Sequence, residues 1–221
     1  MNTSLLIPVP RGNLSQNELA YDSVKERIIA MAYKPGLYLN IAEMMHELSL
    51  GRTPINHALH RLSREGLLHI IPRKGVVVAP LSIDDALELI DVRIANEKLC
   101  GRLAAEKITA DELKQLAGLL EEQEAAIAGN AVELAAGFDL RFHEEIARAS
   151  RNQVLMEMLR LIHARSQRFW VLSFRTEGHL KEVQLEHRRI LEALGRADPE
   201  AAAAAMEAHA LSFKRSLLQA S

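Results

Sequence analysis

Residues 51–80, GRTPINHALHRLSREGLLHIIPRKGVVVAP, constrain the fold more than any other part of this 221-residue chain. Pro54 lies where the first turn of a helix tolerates proline, and Gly66 is typical of a helix end. The apolar runs LLHII and VVV then flank the turn sequence PRKG, which predicts a β-hairpin with a basic tip. A short helix followed by such a hairpin predicts a winged helix-turn-helix, a shape that suits a DNA groove.

The composition excludes several other classes of protein. Apolar residues make up 48% of the chain, which supports a real core and excludes general disorder. No apolar run approaches the roughly 18 residues that a membrane-spanning helix needs. Residues 1–12 lack the charged start and long apolar run of a signal peptide, so we expect a frayed tail there.

Cysteine usage and charge add two expectations. Cys100 is the single cysteine, which excludes an intrachain disulfide and thiolate-rich metal sites and favours a cytoplasmic protein. Its position in a helical pattern predicts a small core residue. Residues 1–80 hold nine basic against six acidic side chains, whereas residues 81–221 hold 18 against 23. A mildly basic head on an acidic body is consistent with a DNA-binding head and a regulatory body.

The apolar spacing divides the chain at about residue 81. In the head, residues 17–33 predict an amphipathic helix that turns four residues inward (Ala20, Val24, Ile28 and Met31). Short helices at 40–48 and 53–65 follow, and the hairpin closes a domain that spans 14–81. Residues 82–219 predict a second domain of about six helices: 83–107, 110–128, 131–149, 153–174, 179–194 and one from 199. The fold class is mainly α, with a winged helix-turn-helix followed by an antiparallel helical bundle.

Four polar residues of the bundle fall on apolar helix faces. Asp139 and His143 are four residues apart and share one face, while His187 and His209 lie among apolar residues of two other helices. A single inward histidine is ordinarily a hydrogen-bonded core residue. Three histidines and a carboxylate are costly to bury unless they share a partner such as a divalent metal ion. Imidazole and carboxylate suit zinc first, with nickel or manganese as alternatives.

Two further features leave alternatives open. The sequence His143-Glu144-Glu145-Ile146-Ala147 begins like the HExxH helix of zinc proteases, but Ala147 replaces the second histidine and leaves Glu144 a weak general base. Arg93 either forms a surface ion pair with a neighbour such as Asp91 or Glu97, or binds an anionic ligand.

Both halves together resemble bacterial transcription regulators of the GntR family, in the FadR-like branch with an FCD ligand-binding domain. Head and bundle each carry a set of matching residues, and the resemblance covers about residues 15–215. The head matches are Pro35-Gly36, Leu39, Leu48, Arg52-Thr53-Pro54, Ala58-Leu59, Arg61-Leu62, Glu65-Gly66-Leu67 and Gly75. The bundle matches are Arg93, Glu97, Asp139, His143, Asn152, Glu186-His187, Ile190, Ala193 and His209. The six-helix count places the chain nearer the shorter, VanR-like group.

The resemblance implies a ligand-responsive regulator that acts as a homodimer on an inverted repeat, more often a repressor than an activator. It implies that Asp139, His143, His187 and His209 bind the metal, and that a small carboxylate effector occupies its open position. Arg93 is then a second contact to the effector. The residues expected to contact DNA are Arg52, Thr53, Asn56, His57, Arg61, Arg73, Lys74 and Gly75.

The head departs from the family pattern at one place. Asn56-His57 replaces the usual Arg-Glu, and asparagine can read adenine but cannot replace arginine at guanine. The operator preference is therefore expected to differ from that of the relatives, unless this position contributes little to binding. Two rival hypotheses remain: a metal-dependent enzyme with an appended winged head, and a constitutive DNA-binding protein whose histidines are structural.

Overall fold

The computed structural model describes residues 14–129, 131–173 and 179–219. The predicted tail at 1–12 and the predicted helix breaks at Asn130 and Gly178 lie outside these residues. The chain forms two compact units, and the boundary between them falls between Ser82 and Ile83. The first unit contains three helices and three strands among its described residues, and the second contains six helices.

Three helices build the first unit: α1 (Gln16–Ile29), α2 (Ile41–Leu48) and α3 (Arg52–Arg64). Ser15 and Glu18 form a reciprocal capping box at the start of α1. The prediction that this helix continues to residue 33 is wrong. Met31 adopts a left-handed conformation with φ 60°, and the amide of Tyr33 donates to the carbonyl of Arg27, so the helix closes before Met31 reaches the inward face.

The three strands form one antiparallel sheet in the order β1-β3-β2. The predicted hairpin corresponds to β2 (Leu68–Ile71) and β3 (Gly75–Val78), whereas the short β1 (Tyr38–Leu39) was not predicted from the sequence. The amide of Lys74 donates to the carbonyl of Ile71 at 3.0 Å and closes the turn. Arg73 has φ 63° and Gly75 has φ 119°, so the tip uses two left-handed residues.

The core of the first unit lies between α1, α3 and the sheet. Because α3 lies against α1 and leads directly into β2, its inner face is fixed while its opposite face stays exposed. The buried apolar residues are Ala20, Val24, Ile28, Ile55, Ala58, Leu59, Leu62, Leu67 and Val78.

The six helices of the second unit match the predicted ones closely. They are α4 (Ile83–Ala105), α5 (Ala110–Ala128), α6 (Val132–Ala149), α7 (Gln153–Ser173), α8 (His179–Gly195) and α9 (Pro199–Gln219). Thr109 and Glu112 form the predicted capping box of α5, and Asp198 Oδ1 accepts from the amide of Ala201 at the start of α9.

A close approach of α4 to α9 fixes one side of the bundle. A Cβ atom at Gly101 would lie 2.8 Å from Met206 Cγ and 2.9 Å from the carbonyl oxygen of Ala202, so this crossing requires glycine. Cys100 is fully buried next to it, as predicted for a small core residue. None of the helices in the described part of the chain combines the length and apolar character that a bilayer span requires.

Candidate functional site

Three helices of the bundle bring the four predicted metal ligands together. Asp139 and His143 come from α6, His187 from α8 and His209 from α9, and the exposed fraction of each is 4% or less. The imidazole centroids of His143, His187 and His209 lie 4.8–5.3 Å apart. One ring nitrogen from each histidine lies within 4.8 Å of the other two, close enough to share one ion. We refer to these four residues as the histidine cluster.

Asp139 places a carboxylate among the imidazoles. Its Oδ1 lies 3.3 Å from Nε2 of His187, and its Oδ2 is buried without a hydrogen-bond partner among the described residues. Burial raises the pKa of this carboxyl to about 6, although the charges of His209 and Arg93 oppose the shift. A buried carboxylate oxygen without a hydrogen-bond partner suits a metal ligand, because a cation would satisfy it.

Two of the histidines are held in the neutral state by their surroundings. Burial lowers the pKa of His143 and of His187 well below the usual value, and the negative charge of Glu97 offsets this only in part. Neutral imidazole is the form that coordinates metal ions. Three imidazole nitrogens and one carboxylate oxygen form a donor set that suits zinc, nickel or manganese, so the residues present fit the expected ion.

Each imidazole also faces a polar side chain on its outer side. Nδ1 of His187 lies 3.1 Å from Oε1 of Gln123, which α5 supplies. Nδ1 of His209 lies 2.9 Å from Oε2 of Glu186. Nδ1 of His143 lies 3.7 Å from Oε1 of Glu97, on α4. Gln123 carries no sequence signal of such a role, because it lies within the charged run Glu121-Glu122-Gln123-Glu124.

A second buried group adjoins the histidine cluster through His143. Glu97 Oε1 accepts from Nε of Arg93 at 2.8 Å and lies 2.8 Å from Nε2 of His163. Burial alone would raise the pKa of Glu97, but the Arg93 guanidinium and the hydrogen bond with His163 hold it well below its usual range. Glu97, His143 and His163 form another set of three residues that could hold a metal ion.

Of the two alternatives for Arg93, the ion pair with Glu97 is present, but it is buried and not on the surface. Both side chains are fully buried, and Arg93 also lies over the ring of Phe213 at 5.4 Å. The spacing of four residues is the same for a buried pair and for a surface pair, so sequence alone does not separate the two. His163, on α7, has no sequence feature that links it to this pair.

The predicted DNA contacts lie on α3 and on the hairpin tip of the first unit. Arg52, Thr53 and His57 are exposed on α3, and Asn56 is half-buried on the same helix. Gly51 is the N-cap of this helix and supplies no side-chain hydrogen bond to its first turn.

The hairpin tip carries the remaining predicted contacts. Arg73, Lys74 and Gly75 are exposed there. The left-handed backbone of the tip leaves both basic side chains in solvent, where phosphate or a minor groove could receive them.

Arg61 differs from the other predicted contacts because it has partners within its own unit. Its guanidinium carbon lies 3.5 Å from the ring centroid of Tyr21, and its Nε lies 3.4 Å from Oε1 of Glu65. The hydroxyl of Tyr21 donates to the same carboxylate at 2.8–2.9 Å. These contacts tie α1 to the end of α3, so Arg61 has a structural role whether or not it meets DNA.

Comparison with known families agrees with the division into two units. Residues 16–78 match the bacterial regulatory proteins of the gntR family, and residues 88–212 match the FCD domain. The second match covers more than half of the chain and includes all four residues of the histidine cluster.

Individual relatives cover most of this chain. It is 28% identical over 190 residues to the uncharacterized HTH-type transcriptional regulator YdhC of Bacillus subtilis, covering 86% of this chain and 85% of that protein. It is 25% identical over 203 residues to the HTH-type transcriptional repressor RspR of Escherichia coli, covering 92% and 89%. Among solved structures, E. coli McbR/YncC has the same fold, with a TM-score of 0.84, 22% identity and coverage of 94% of this chain and 99% of that one.

Proposed function

Because the chain belongs to the GntR family of bacterial regulatory proteins with an FCD domain, and is a DNA-binding transcriptional regulator, we propose that it represses transcription under the control of a small organic acid. The acid binds at a metal site in the FCD domain and alters operator binding. The observation that carries this proposal is the convergence of Asp139, His143, His187 and His209 in one buried cluster.

The four residues of the histidine cluster hold the metal ion, with zinc as the first choice and nickel or manganese as alternatives. When bound, the ion would supply a positively charged centre that attracts the carboxylate of the acid. Arg93 is the second contact for the acid. Its charge already acts on the cluster, because it lowers the pKa of Asp139 against the effect of burial.

The first unit reads the operator. Arg52 and Asn56 on α3 contact base edges, and Thr53 and His57 contact bases or phosphate beside them. Arg73, Lys74 and Gly75 bring the hairpin tip to the backbone or the minor groove. Arg61 stabilises α3 from its inner edge and adds positive charge near the DNA. These assignments are supported by the exposure of Arg52, Thr53, His57 and the hairpin tip, and by the place of Asn56 and Arg61 on the same helix, in a family of DNA-binding regulators.

We infer that two copies of the chain bind an inverted repeat, as symmetric dimers do. The repressor assignment is supported by RspR, a relative named as a repressor that aligns with most of this chain. The acid must bind two arrangements of the FCD domain unequally, because equal binding would shift nothing. A DNA-binding regulator of this kind works in the cytoplasm.

The rival of a metal-dependent enzyme loses support, because the family and the relatives are transcriptional regulators. The other rival hypothesis, a constitutive DNA-binding protein, differs from the proposal in one testable respect. It requires that operator affinity be independent of both metal and acid.

The test begins with enrichment of operator sequences from a random duplex pool by the full-length protein. Operator affinity is then measured by fluorescence anisotropy with zinc-loaded protein, in the presence of small mono- and dicarboxylic acids and their matched neutral amides. We expect at least one acid, but not its amide, to weaken binding by about tenfold or more, equivalent to about 1.4 kcal/mol. His187→Ala should remove that response. Unchanged affinity across the acids and after chelation would establish the constitutive rival instead.

A further inference from the structure

We propose that Gln123, Glu186 and Glu97 are positioning residues that orient the three histidines so that their Nε2 atoms face a single ion. This inference rests on the metal site proposed above and concerns the residues around the ligands. The three positioning residues come from α5, α8 and α4, so the orientation of the ligands depends on the packing of the whole bundle.

The hydrogen bonds of Gln123 determine which nitrogen of His187 carries the proton. The amide nitrogen of Gln123 donates to the carbonyl of Ala135 at 3.4 Å and to Oδ1 of Asp139 at 3.5 Å. Its Oε1 therefore faces His187 as an acceptor, which makes Nδ1 the donor. Nε2 of His187 then keeps its lone pair, on the side of the ring where Asp139 lies at 3.3 Å.

The same arrangement holds at His209. Oε2 of Glu186 lies 2.9 Å from Nδ1 of His209, and a carboxylate oxygen accepts hydrogen bonds, so Nδ1 is the donor. The lone pair again lies at Nε2. Glu186 directly precedes His187 in α8, so two neighbouring residues of one helix contribute a ligand and a positioning residue for a different ligand.

Glu97 acts on His143 at a longer distance. Its Oε1 lies 3.7 Å from Nδ1 of His143, beyond a normal hydrogen bond, and is already contacted by Arg93 and His163 at 2.8 Å. The negative charge still favours a proton on Nδ1 and a lone pair on Nε2. Because this contact is longer and Glu97 also binds two other side chains, we expect Glu97 to orient its histidine less strongly than Gln123 and Glu186 orient theirs.

Hydrogen-bond partners of this kind fix the tautomer and the ring orientation of a histidine ligand before the ion binds, and they raise the basicity of that ligand. Loss of one typically lowers metal affinity by about 10–100-fold, even though no coordinating atom is removed. A residue that only fills space in the core would not show this loss of metal affinity. Its replacement by an apolar side chain of similar size would keep the packing, and the metal affinity would stay the same.

The test measures Co²⁺ affinity, by the visible absorption of the bound ion, in Glu186→Leu, Glu186→Gln, Gln123→Leu and the wild type. Glu186→Leu and Gln123→Leu should bind Co²⁺ about 10–100-fold more weakly. Glu186→Gln should remain within about threefold of the wild type, since its amide oxygen still accepts the hydrogen bond. Ser150→Ala, which removes a different buried hydrogen bond, to the carbonyl of Ala147, should leave the affinity unchanged.

Thermal unfolding of the metal-free variants checks that each one folds. If the wild type binds Co²⁺ and both leucine variants bind it equally well, the positioning inference is wrong and the metal site stands. A Glu186→Gln variant as weak as Glu186→Leu would show that charge, not an oriented acceptor, sets the affinity. If the wild type binds no Co²⁺ in this cluster, the metal site and the positioning inference fail together.

Discussion

The histidine cluster of the FCD domain and helix α3 of the first unit both carry polar functional candidates, but in opposite environments. His143, His187 and Asp139 lie on helix faces that are otherwise apolar, and their exposed fractions are 2% or less. Arg52 and Thr53 lie on an exposed face where polar residues are ordinary. The first set is unusual for its surroundings, and the second is not.

This difference explains how much each region reveals. Burying an ionisable side chain without a partner costs several kcal/mol. The four buried residues of the histidine cluster therefore indicate a functional site even without a known relative. An exposed arginine costs almost nothing, so its function follows from the fold that presents it. The two regions should therefore respond differently to mutation: the cluster through metal binding and stability, and α3 through DNA affinity alone.

The largest expected effect is the response of the FCD domain to metal removal. At free metal about 1,000 times its Kd, binding stabilises a protein by about 4 kcal/mol. Chelation should therefore lower Tm by about 10 °C in a chain of this size. Asp139→Ala should abolish this difference, measured by calorimetry with and without chelator. Ser150→Ala should lower Tm in both conditions and keep the difference. Equal Tm values for the wild type with and without chelator would show that the cluster is structural.

The next effect tests α3. Arg52→Ala should weaken operator binding by about 1–3 kcal/mol, because a base contact is lost, while Co²⁺ affinity stays at the wild-type value. Arg64→Ala is the matched control, since Arg64 is exposed at the other end of the same helix. Anisotropy titrations on operator and random DNA should show that Arg52→Ala loses mainly the operator preference. A loss as large for Arg64→Ala would mean that α3 acts by charge alone.

A smaller effect is expected at the hairpin tip. Lys74→Ala should weaken operator and random DNA alike and reduce the slope of log affinity against log salt by about 1, because one phosphate contact is lost. Lys114→Ala removes the same charge from an exposed position on α5 and should leave the slope unchanged. An unaltered slope in Lys74→Ala would remove the tip from the DNA contacts.

The smallest effect concerns a half-buried polar group outside both regions, Glu112 in the capping box of α5. The hydrogen bond from Arg151 is the main cause that lowers the pKa of Glu112 to about 2 from its ordinary 4.5. The charged carboxylate therefore stabilises the fold above pH 4.5, and this contribution disappears as the pH falls towards 2. Glu112→Gln should cost about 0.5 kcal/mol at neutral pH and nothing near pH 2, measured by urea unfolding. A pH-independent cost would contradict the ionic origin.

Helix positions were predictable where local chemistry decides them. The start of α5 follows from Thr109 and Glu112, and the start of α9 follows from Asp198 and Pro199, because caps act within a few residues. The end of α1 was not predictable in the same way. An apolar residue at position 31 continues the helical pattern, yet the backbone at Met31 turns left-handed. The short β1 strand was also missed, since two residues that pair with a distant strand have no periodicity of their own.

The residues of the candidate site likewise fall into those that a single helix reveals and those that depend on contacts between helices. Each histidine of the cluster could be found from its own helix, because an inward polar residue interrupts an apolar face. Gln123 and His163 could not, because their roles come from contacts between helices 64 and 66 residues apart in sequence. The pairing of Arg93 with Glu97 was predictable from their spacing, but the burial of that pair depends on how α4 packs against its neighbours.

The most direct test of the central claim is the metal content of the purified, dialysed protein, measured by elemental analysis. The account predicts about one divalent ion per chain in the wild type and in Arg52→Ala, and almost none in His187→Ala. A wild-type protein that folds, binds its operator and repeatedly carries no divalent ion after incubation with zinc, nickel or manganese would contradict it.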